Sequence, residues 1–160
     1  MPAPLPPDAR TLSLLADAYL DAEYRWGLDG DWHDVRIGLP MPSLDLAYPA
    51  ATSFGILSAW DPDSVPREDA VNRRQDAALQ DMLLERGAPH LPAFASAVNR
   101  SWREPGWLVM DMAVNDFDAL ARRFEQLGTL WWPRGGVVRL RMYAARPAGY
   151  ERQDLVDWLE

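Results

Sequence analysis

The sequence predicts a single α+β domain with a largely antiparallel sheet of about five strands packed with three to four helices. Its 160 residues lie in the size range of one domain. Short apolar runs bounded by turn residues predict strands, and segments with helical apolar spacing lie between some of them. This mixture is typical of α+β proteins. No repeat or linker divides the chain, so we expect a flexible proline-rich N-terminus at 1–10 and one domain at 11–160.

The first helix is predicted to begin near Asp8 or Thr11, because the prolines within residues 2–7 prevent regular helix. Its apolar face is formed by residues at helical spacing: Leu12, Leu15, Ala16, Tyr19, Ala22 and Trp26. The glycine-containing segment 27–31 is expected to end this helix. A short strand is then predicted at 35–38, and residues 41–52 are only weakly determined.

Residues 54–59 form a short apolar run that predicts a strand inside the sheet. A polar Trp-Asp-Pro elbow follows this strand. Ser64 is then suited to cap a helix that lasts until Gly87, where glycine favours a helix end. The predicted core face of this helix is Val71, Ala78, Leu79, Met82 and Leu83.

The next predicted strands, at 93–98 and 107–112, are joined through residues 101–106 and can form a hairpin. A helix follows, capped by Asn115 or Asp116 and stopped near Gly128. Its apolar residues again keep helical spacing: Phe117, Leu120, Ala121, Phe124 and Leu127.

A second hairpin is predicted from strands at 129–132 and 137–144, around the loop Pro133-Arg134-Gly135-Gly136. In its second arm apolar residues alternate with polar ones, which indicates one buried and one solvated face. Residues 150–160 are expected to form a terminal helix.

The composition excludes several kinds of chemistry. A net charge of −8 disfavours broad contact with nucleic acid or with anionic membranes. Every basic residue is arginine, so lysine Schiff bases and lysine-dependent phosphate loops are excluded. The absence of cysteine excludes disulfides and Cys-ligated metals. Since no apolar stretch is long enough to span a bilayer, we expect a soluble cytoplasmic protein.

The elbow carries the best candidate site, because Ser58, Asp61 and Asn72 are polar residues near the end of a buried strand. On an ideal helix Asn72 lies beside the apolar face and can turn toward the strand end. In a structural role, its amide satisfies backbone groups of the Asp61-Pro62 turn, and this interpretation is favoured. In a functional role, Asn72 and Asp61 converge with Arg74 on a small polar ligand.

Glu104, before a Pro-Gly turn, is a candidate general base or metal ligand. The simpler alternative is a surface glutamate that pairs with an arginine. If Glu104 lies near Asp61, however, mutual repulsion raises the pKa of at least one carboxyl group. An acid–base or cation site at the elbow therefore depends on where Glu104 lies.

No metal or cofactor site is expected. Residues 29–34 offer Asp and His side chains but lack the later glutamate of a calcium loop, and a glycine-containing turn explains them more simply. The only histidines are His33 and His90. Without a Gly-x-Ser-x-Gly elbow, a serine–histidine–acid triad has little support.

Eight tryptophans are an unusual number for this length. Trp107 and one of Trp131 and Trp132 are predicted to be core residues, because neighbours on a strand point to opposite faces. The other is expected under a helix or, alternatively, on an exposed platform with Arg139 and Arg141. A solvated strand face is the simpler interpretation of the two arginines.

The order of these motifs resembles an uncharacterised bacterial group, the domain of unknown function 3293 family, over roughly residues 50–135. The chain has Ser58-Ala59-Trp60-Asp61-Pro62 where the family tends to have Thr-Ala-x-Asn-Pro. The other matching motifs are Asn72 and Arg74, Trp102-x-Glu104, and Phe124-Glu125-Gln126. The resemblance implies no established reaction. It implies one set of residues to test together: Trp60, Asp61, Asn72, Trp102, Glu104 and Gln126.

Three functions follow as hypotheses. The first is a ligand-binding or interaction module with a polar pocket at the 58–74 elbow, which takes a small polar ligand or a protein partner. The second is a hydrolase of a small phosphorylated or nucleotide-like substrate, with Glu104 or Asp61 as base or cation ligand and Arg74 as the anion contact. The third is an accessory protein that binds a partner through a Trp-rich surface. A monomer or weak homo-oligomer is expected in each case.

Overall fold

The computed structural model describes residues 7–97 and 103–160, which form an α+β fold around one eight-stranded sheet. The helices are α1 (Ala9–Asp21), α2 (Pro42–Ala47), α3 (Asp69–Glu85) and α4 (Val114–Arg123). The strands are β1 (Glu23–Leu28), β2 (Asp31–Val35), β3 (Ser53–Leu57), β4 (His90–Ser96), β5 (Arg103–Met110), β6 (Gly128–Pro133), β7 (Arg139–Met142) and β8 (Val156–Trp158). Their order is β2-β1-β4-β5-β3-β6-β7-β8, and only β7 and β8 pair in parallel. The prediction of about five strands was therefore too low.

The two faces of the sheet are covered by different helices. Leu12 and Ala16 of α1 and Leu44 of α2 belong to one apolar cluster with Phe54 and Trp132 of the sheet. Residues of α3 and α4 form the second cluster on the opposite face: Leu79, Leu83, Phe117, Leu120 and Ala121. Each face of the central strands is thus removed from water, which explains why all five residues of β3 are buried.

The N-terminal prediction was wrong beyond Asp21. A hairpin of β1 and β2 stands where helix was predicted as far as Trp26, and Trp26 is a core residue of β1. The turn between the strands is made by Asp29 and Gly30, whose φ angles of 53° and 85° are left-handed. An Asp-Gly pair is a strong hairpin signal, and it outweighs the helical spacing that Ala22 and Trp26 share with α1. The strand predicted at 35–38 accordingly lies at 31–35.

The predicted central strand is confirmed as β3, but the following helix begins later than Ser64. A short 3₁₀ turn occupies Pro62–Ser64, and Ser64 itself has a φ of 62°. An N-cap residue typically has β-region φ and ψ angles, so Ser64 does not suit this position. The N-cap of α3 is Glu68, and the helix begins at Asp69. The predicted end is close to the observed one, because α3 ends at Glu85 and Gly87 adopts a φ of 64°.

The first predicted hairpin is confirmed as β4 and β5, which pair antiparallel. However, β5 starts at Arg103, so Glu104, Pro105 and Gly106 lie within the strand rather than in a turn. A Cβ atom at Gly106 would stand 2.6 Å from the Leu57 carbonyl oxygen. The glycine is therefore explained by close approach of two strand backbones, not by a turn.

The helix predicted near residue 117 is confirmed as α4, with Phe117, Leu120 and Ala121 buried. Its N-cap is Ala113 rather than Asn115 or Asp116. The chain leaves the helix at Glu125, which has a φ of 55°, so Gly128 begins β6 instead of ending α4.

The second predicted hairpin is confirmed as β6 and β7, but the predicted terminal helix is wrong. Residues Val156–Trp158 form β8, which extends the sheet beside β7. A bidentate contact between the Arg139 guanidinium and the Asp157 carboxylate, at 3.0 and 3.1 Å, links the two strands. This ion pair and the buried Val156 favour a strand over a solvated helix.

The face of β7 that carries the arginines is covered by α4. Arg141 forms a bidentate pair with Asp118 of α4, with contacts of 2.6 and 2.9 Å. On the neighbouring strand, Trp132 is buried on one face and Trp131 packs against the α3–α4 cluster on the other. The prediction that a helix covers the second tryptophan is confirmed. The other interpretation, in which Arg139 and Arg141 lie on a solvated strand face, is not what the structure shows.

Trp107 connects the sheet to α3, because its Nε1 donates a 3.0 Å hydrogen bond to Asp76. We expect Trp107→Phe to lower the free energy of unfolding by about 1 kcal/mol, since a partly buried hydrogen bond is lost. Urea denaturation measures this loss. Asp76→Asn is the control, because it keeps an acceptor oxygen and is expected to cost less. A larger loss for Asp76→Asn than for Trp107→Phe would contradict the assignment.

Candidate functional site

In the structure, the elbow predicted at 58–74 divides into a loop at 58–67, which keeps the name elbow, and the first residues of α3, which begins at Asp69. Asp61, Asp63 and Ser64 all have left-handed φ angles, between 44° and 62°. Such angles are unfavourable for residues with a Cβ, so surrounding contacts must hold this conformation. One of these contacts is a 2.8 Å backbone hydrogen bond from Asp63 N to the Glu125 carbonyl oxygen, which joins the elbow to the end of α4.

Asn72 of α3 is the residue on which the contacts of the elbow converge, and it is 1% exposed. Its Oδ1 accepts hydrogen bonds from the Asp61 backbone N–H at 3.0 Å and from Arg67 Nε at 2.5 Å. Its Nδ2 donates to Asp61 Oδ1 at 2.8 Å. The amide thus satisfies the backbone of the Asp61-Pro62 turn, as the structural interpretation of this residue predicts.

Arg67, which is not among the residues predicted for the site, supplies the positive charge of the elbow. Besides its contact with Asn72, its guanidinium donates to the Ala59 carbonyl oxygen at 2.8 Å. Its backbone N–H donates to Asp61 Oδ1 at 3.1 Å. Asp61 therefore has one oxygen engaged within the elbow, and Arg67 closes the loop onto the end of β3.

Gln126 reaches the elbow from the opposite side. Because α4 ends at Arg123, Gln126 is not on the helix, and its side chain turns inward and is buried. Its Nε2 donates to the Trp60 carbonyl oxygen at 3.1 Å. The Trp60 backbone N–H donates to Ser58 Oγ at 2.9 Å. Trp60 is thus joined to this group through its backbone.

Glu104 lies near Asp61, as the two-carboxylate hypothesis requires. Removal from water raises the pKa of Glu104 to about 7; the Ser58 hydroxyl opposes this shift, and the negative charge of Asp61 adds to it. Glu104 is therefore about half protonated near neutral pH. A carboxyl group in this state can donate or accept a proton or exchange its proton for a cation.

A solvent-open cleft of about 250 Å³ lies between α1, the elbow and the β4–β5 hairpin. Glu104 and Asp61 line it, together with the Tyr19 and Ser64 hydroxyl groups, which are hydrogen bonded at 2.6 Å. The remaining lining residues are Leu15, Ala18, Pro66, Ala95 and Arg103. The cleft combines apolar walls with a few converging polar groups, which is typical of small-molecule sites.

Behind the cleft lies a second cavity of about 30 Å³, enough for one or two water molecules. Tyr19, Ala95 and Glu104 line both spaces and therefore lie between them. Most of the other residues around the smaller cavity are buried, which makes it the inner of the two. Gln126, Ser58 and Thr129 add polar atoms to its wall. Glu104 therefore lies at the inner end of the cleft.

The outer part of the cleft carries Arg103, which is exposed. Its guanidinium carbon lies 3.8 Å from the centre of the Phe94 ring and 5.5 Å from that of Trp32. These cation–π contacts hold the positive charge at the side of the hairpin.

The structure brings five of the seven candidate residues to one region. Asp61 and Glu104 line the cleft, while Asn72, Trp60 and Gln126 hold the elbow beside it. Arg74, expected as the contact for a ligand anion, is exposed on α3, and the guanidinium group that contacts the elbow is that of Arg67. Trp102 lies outside the described residues. Tyr19, predicted on the apolar face of α1, packs against the core and also forms part of the cleft wall.

No group of three or more His, Asp or Glu side chains is placed to hold a metal ion within 7–97 and 103–160. His33 of β2 stacks on Trp26, with ring centres 4.5 Å apart, and residues 29–30 form the hairpin turn. Across the same part of the chain, none of the helices has the length and apolar character needed to cross a membrane.

Residues 57–128 match the family model described as Protein of unknown function (DUF3293), which confirms the resemblance over just under half of the chain. The comparison with curated proteins and the comparison with solved structures each found no significant match. The matched segment runs from the end of β3 to the start of β6. It includes the elbow, Glu104 and Gln126, whereas the α1 wall of the cleft lies outside it.

Proposed function

We propose that this chain is a small-molecule-binding domain whose ligand occupies the cleft between α1, the elbow and the β4–β5 hairpin. The observation that carries this proposal is Glu104, which lies at the inner end of an otherwise largely apolar cleft. Removing a carboxyl group from water is unfavourable. A ligand group that hydrogen bonds to Glu104 or neutralises it recovers part of this cost, so the cleft favours ligands with one polar head and a short apolar body.

The two alternative functions have less support. A phosphorylated substrate requires positive charge in the cleft, but two of its lining residues are Asp61 and Glu104, and its arginine, Arg103, is exposed. Arg74, the expected anion contact, is exposed on α3. For a Trp-rich binding surface, Trp32 is the only exposed tryptophan among the described residues, at 45%.

The proposal predicts that filling the cleft abolishes binding. Ala18 is an exposed α1 residue in the cleft wall, so Ala18→Phe places a ring in the ligand space without disturbing a buried residue. We expect compounds found in an NMR fragment screen to shift amide signals of the cleft in the wild type and to lose at least tenfold in affinity for the variant.

Ala77→Phe is the matched control, because Ala77 is exposed on α3 and does not line the cleft. It is expected to bind the same compounds as the wild type does. Equal affinity of all hits for Ala18→Phe and Ala77→Phe, or a screen without any cleft-binding compound, would overturn the proposal.

A further inference from the structure

We infer that the cleft selects a small organic cation, a protonated amine attached to a short apolar group, with the amine placed against Glu104 and Asp61. This inference rests on the proposed binding function and names the class of its ligand. It follows from the position of charged groups along the cleft and from the apolar character of its walls.

The charges are unevenly distributed. Both carboxyl groups line the cleft, and Glu104 also contacts the inner cavity, which places negative charge at the inner end. The positive group, Arg103, is exposed and lies over the Phe94 ring. A cation that enters head first therefore meets opposite charge where water is scarce and electrostatic attraction is strong.

The groups around Glu104 favour a cation over an anion. Tyr19 of α1 and Tyr24 of β1 lie on the helix and hairpin sides, and burial together with the charge of Glu104 raises the pKa of both phenols, which keeps them neutral. Ser58 and Asp61 face Glu104 from the elbow. Apart from Arg103, no cationic side chain of the described residues lines the cleft. An anion in the cleft would thus meet the negative charge of Asp61 and of ionised Glu104.

The walls define the rest of the ligand. Leu15, Ala18, Pro66 and Ala95 offer apolar surface for a short hydrocarbon body. The hydrogen-bonded hydroxyl groups of Tyr19 and Ser64 keep acceptor oxygens available for additional N–H donors of an ammonium group. A volume of about 250 Å³ restricts the ligand to a compound of modest size.

Binding of a cation is coupled to the proton of Glu104. The ammonium group requires the carboxylate form, so a proton is released when it binds at pH 6 but rarely at pH 8. Since the pKa of Glu104 is about 7, the carboxylate fraction rises roughly tenfold between these two pH values. The affinity of a neutral ligand with the same apolar body is expected not to follow the ionisation of Glu104 in this way.

The test uses benzylamine, benzyl alcohol and benzoate, which share one ring and differ in charge. Their affinities for the wild-type chain are measured by NMR titration at pH 6 and pH 8. We expect benzylamine to bind more tightly than benzyl alcohol, and to gain up to about tenfold in affinity from pH 6 to pH 8. Benzoate is expected to bind most weakly at both pH values.

Two variants separate charge from shape. Glu104→Gln is expected to weaken the binding of benzylamine at pH 8 at least tenfold and to remove its pH dependence. The binding of benzyl alcohol is expected to change much less, because a glutamine amide still hydrogen bonds to a hydroxyl group. Asp61→Asn is expected to weaken the binding of benzylamine by a smaller factor. In both variants the new side chain has nearly the same size as the original one, so the shape of the cleft is preserved.

The outcomes distinguish this inference from the proposed function. Equal binding of benzylamine and benzyl alcohol in the cleft, or unchanged benzylamine affinity in Glu104→Gln, overturns the cation inference and leaves the binding function standing. If none of the three compounds shifts cleft amides, the cation inference fails, and the fragment screen with Ala18→Phe decides the function separately.

Discussion

Asn72→Ala is expected to lower the free energy of unfolding by about 3 kcal/mol, an unusually large effect for a polar residue. Asn72 is 1% exposed and makes four hydrogen bonds, two with Asp61 and two with Arg67. Truncation leaves the Asp61 backbone N–H and the Arg67 Nε without this partner. It also removes contacts that hold the left-handed conformation of the elbow at Asp61.

Urea denaturation at pH 7 measures this effect. Asn115→Ala is the matched control, because Asn115 is exposed on α4 and its truncation is expected to change stability by less than about 0.5 kcal/mol. Amide hydrogen exchange adds a local readout, with faster exchange expected at 59–67 than at β3. If Asn72→Ala costs no more than the control, Asn72 does not hold the elbow.

Glu104→Gln is expected to stabilise the chain at pH 8 by roughly 2 kcal/mol, a value reduced to allow for partial solvent exposure. The folded-state pKa of Glu104 is about 7, above the ordinary 4.5 of a glutamate. Folding therefore favours the protonated form. The contribution of this group to stability is greatest below about pH 4.5 and declines as the pH rises through 7.

Unfolding curves of the wild type and the variant between pH 5 and pH 8 test this sign. The wild type should lose stability relative to Glu104→Gln across this range, and the difference should level off above pH 8. Glu85→Gln is the control, because Glu85 is exposed at the far end of α3 from the elbow. Parallel curves for wild type and Glu104→Gln would show that Glu104 is ionised normally.

The local sequence pattern was sufficient to predict a helix, strand or loop where one strong signal dominated. The apolar run of β3, the helical spacing of α4 and the glycine-rich loop between β6 and β7 were each recognised at nearly the observed residues. The predictions failed where two local signals competed. In β1, alternation of buried residues and an Asp-Gly turn prevailed over a helical spacing that continued from α1.

The terminal strand shows a different kind of failure. Nothing local required Val156–Trp158 to be a strand, because only three residues are involved. They pair in parallel with β7, and Asp157 is placed opposite Arg139 and Arg141. Such long-range pairing depends on where the sheet edge lies, and this information is absent from the local sequence.

For the candidate site, the sequence by itself indicated the elbow, the inward side chain of Asn72 and the importance of Glu104, because polar residues beside a buried strand must find partners. Only the tertiary structure decided that Glu104 lies inside β5 and lines the same cleft as Asp61, and that Tyr19 of α1 completes this cleft. It also decided that Arg67, and not Arg74, is bonded to the elbow. These facts depend on contacts between distant segments, which bring α1, the elbow and β5 together through packing on a common sheet.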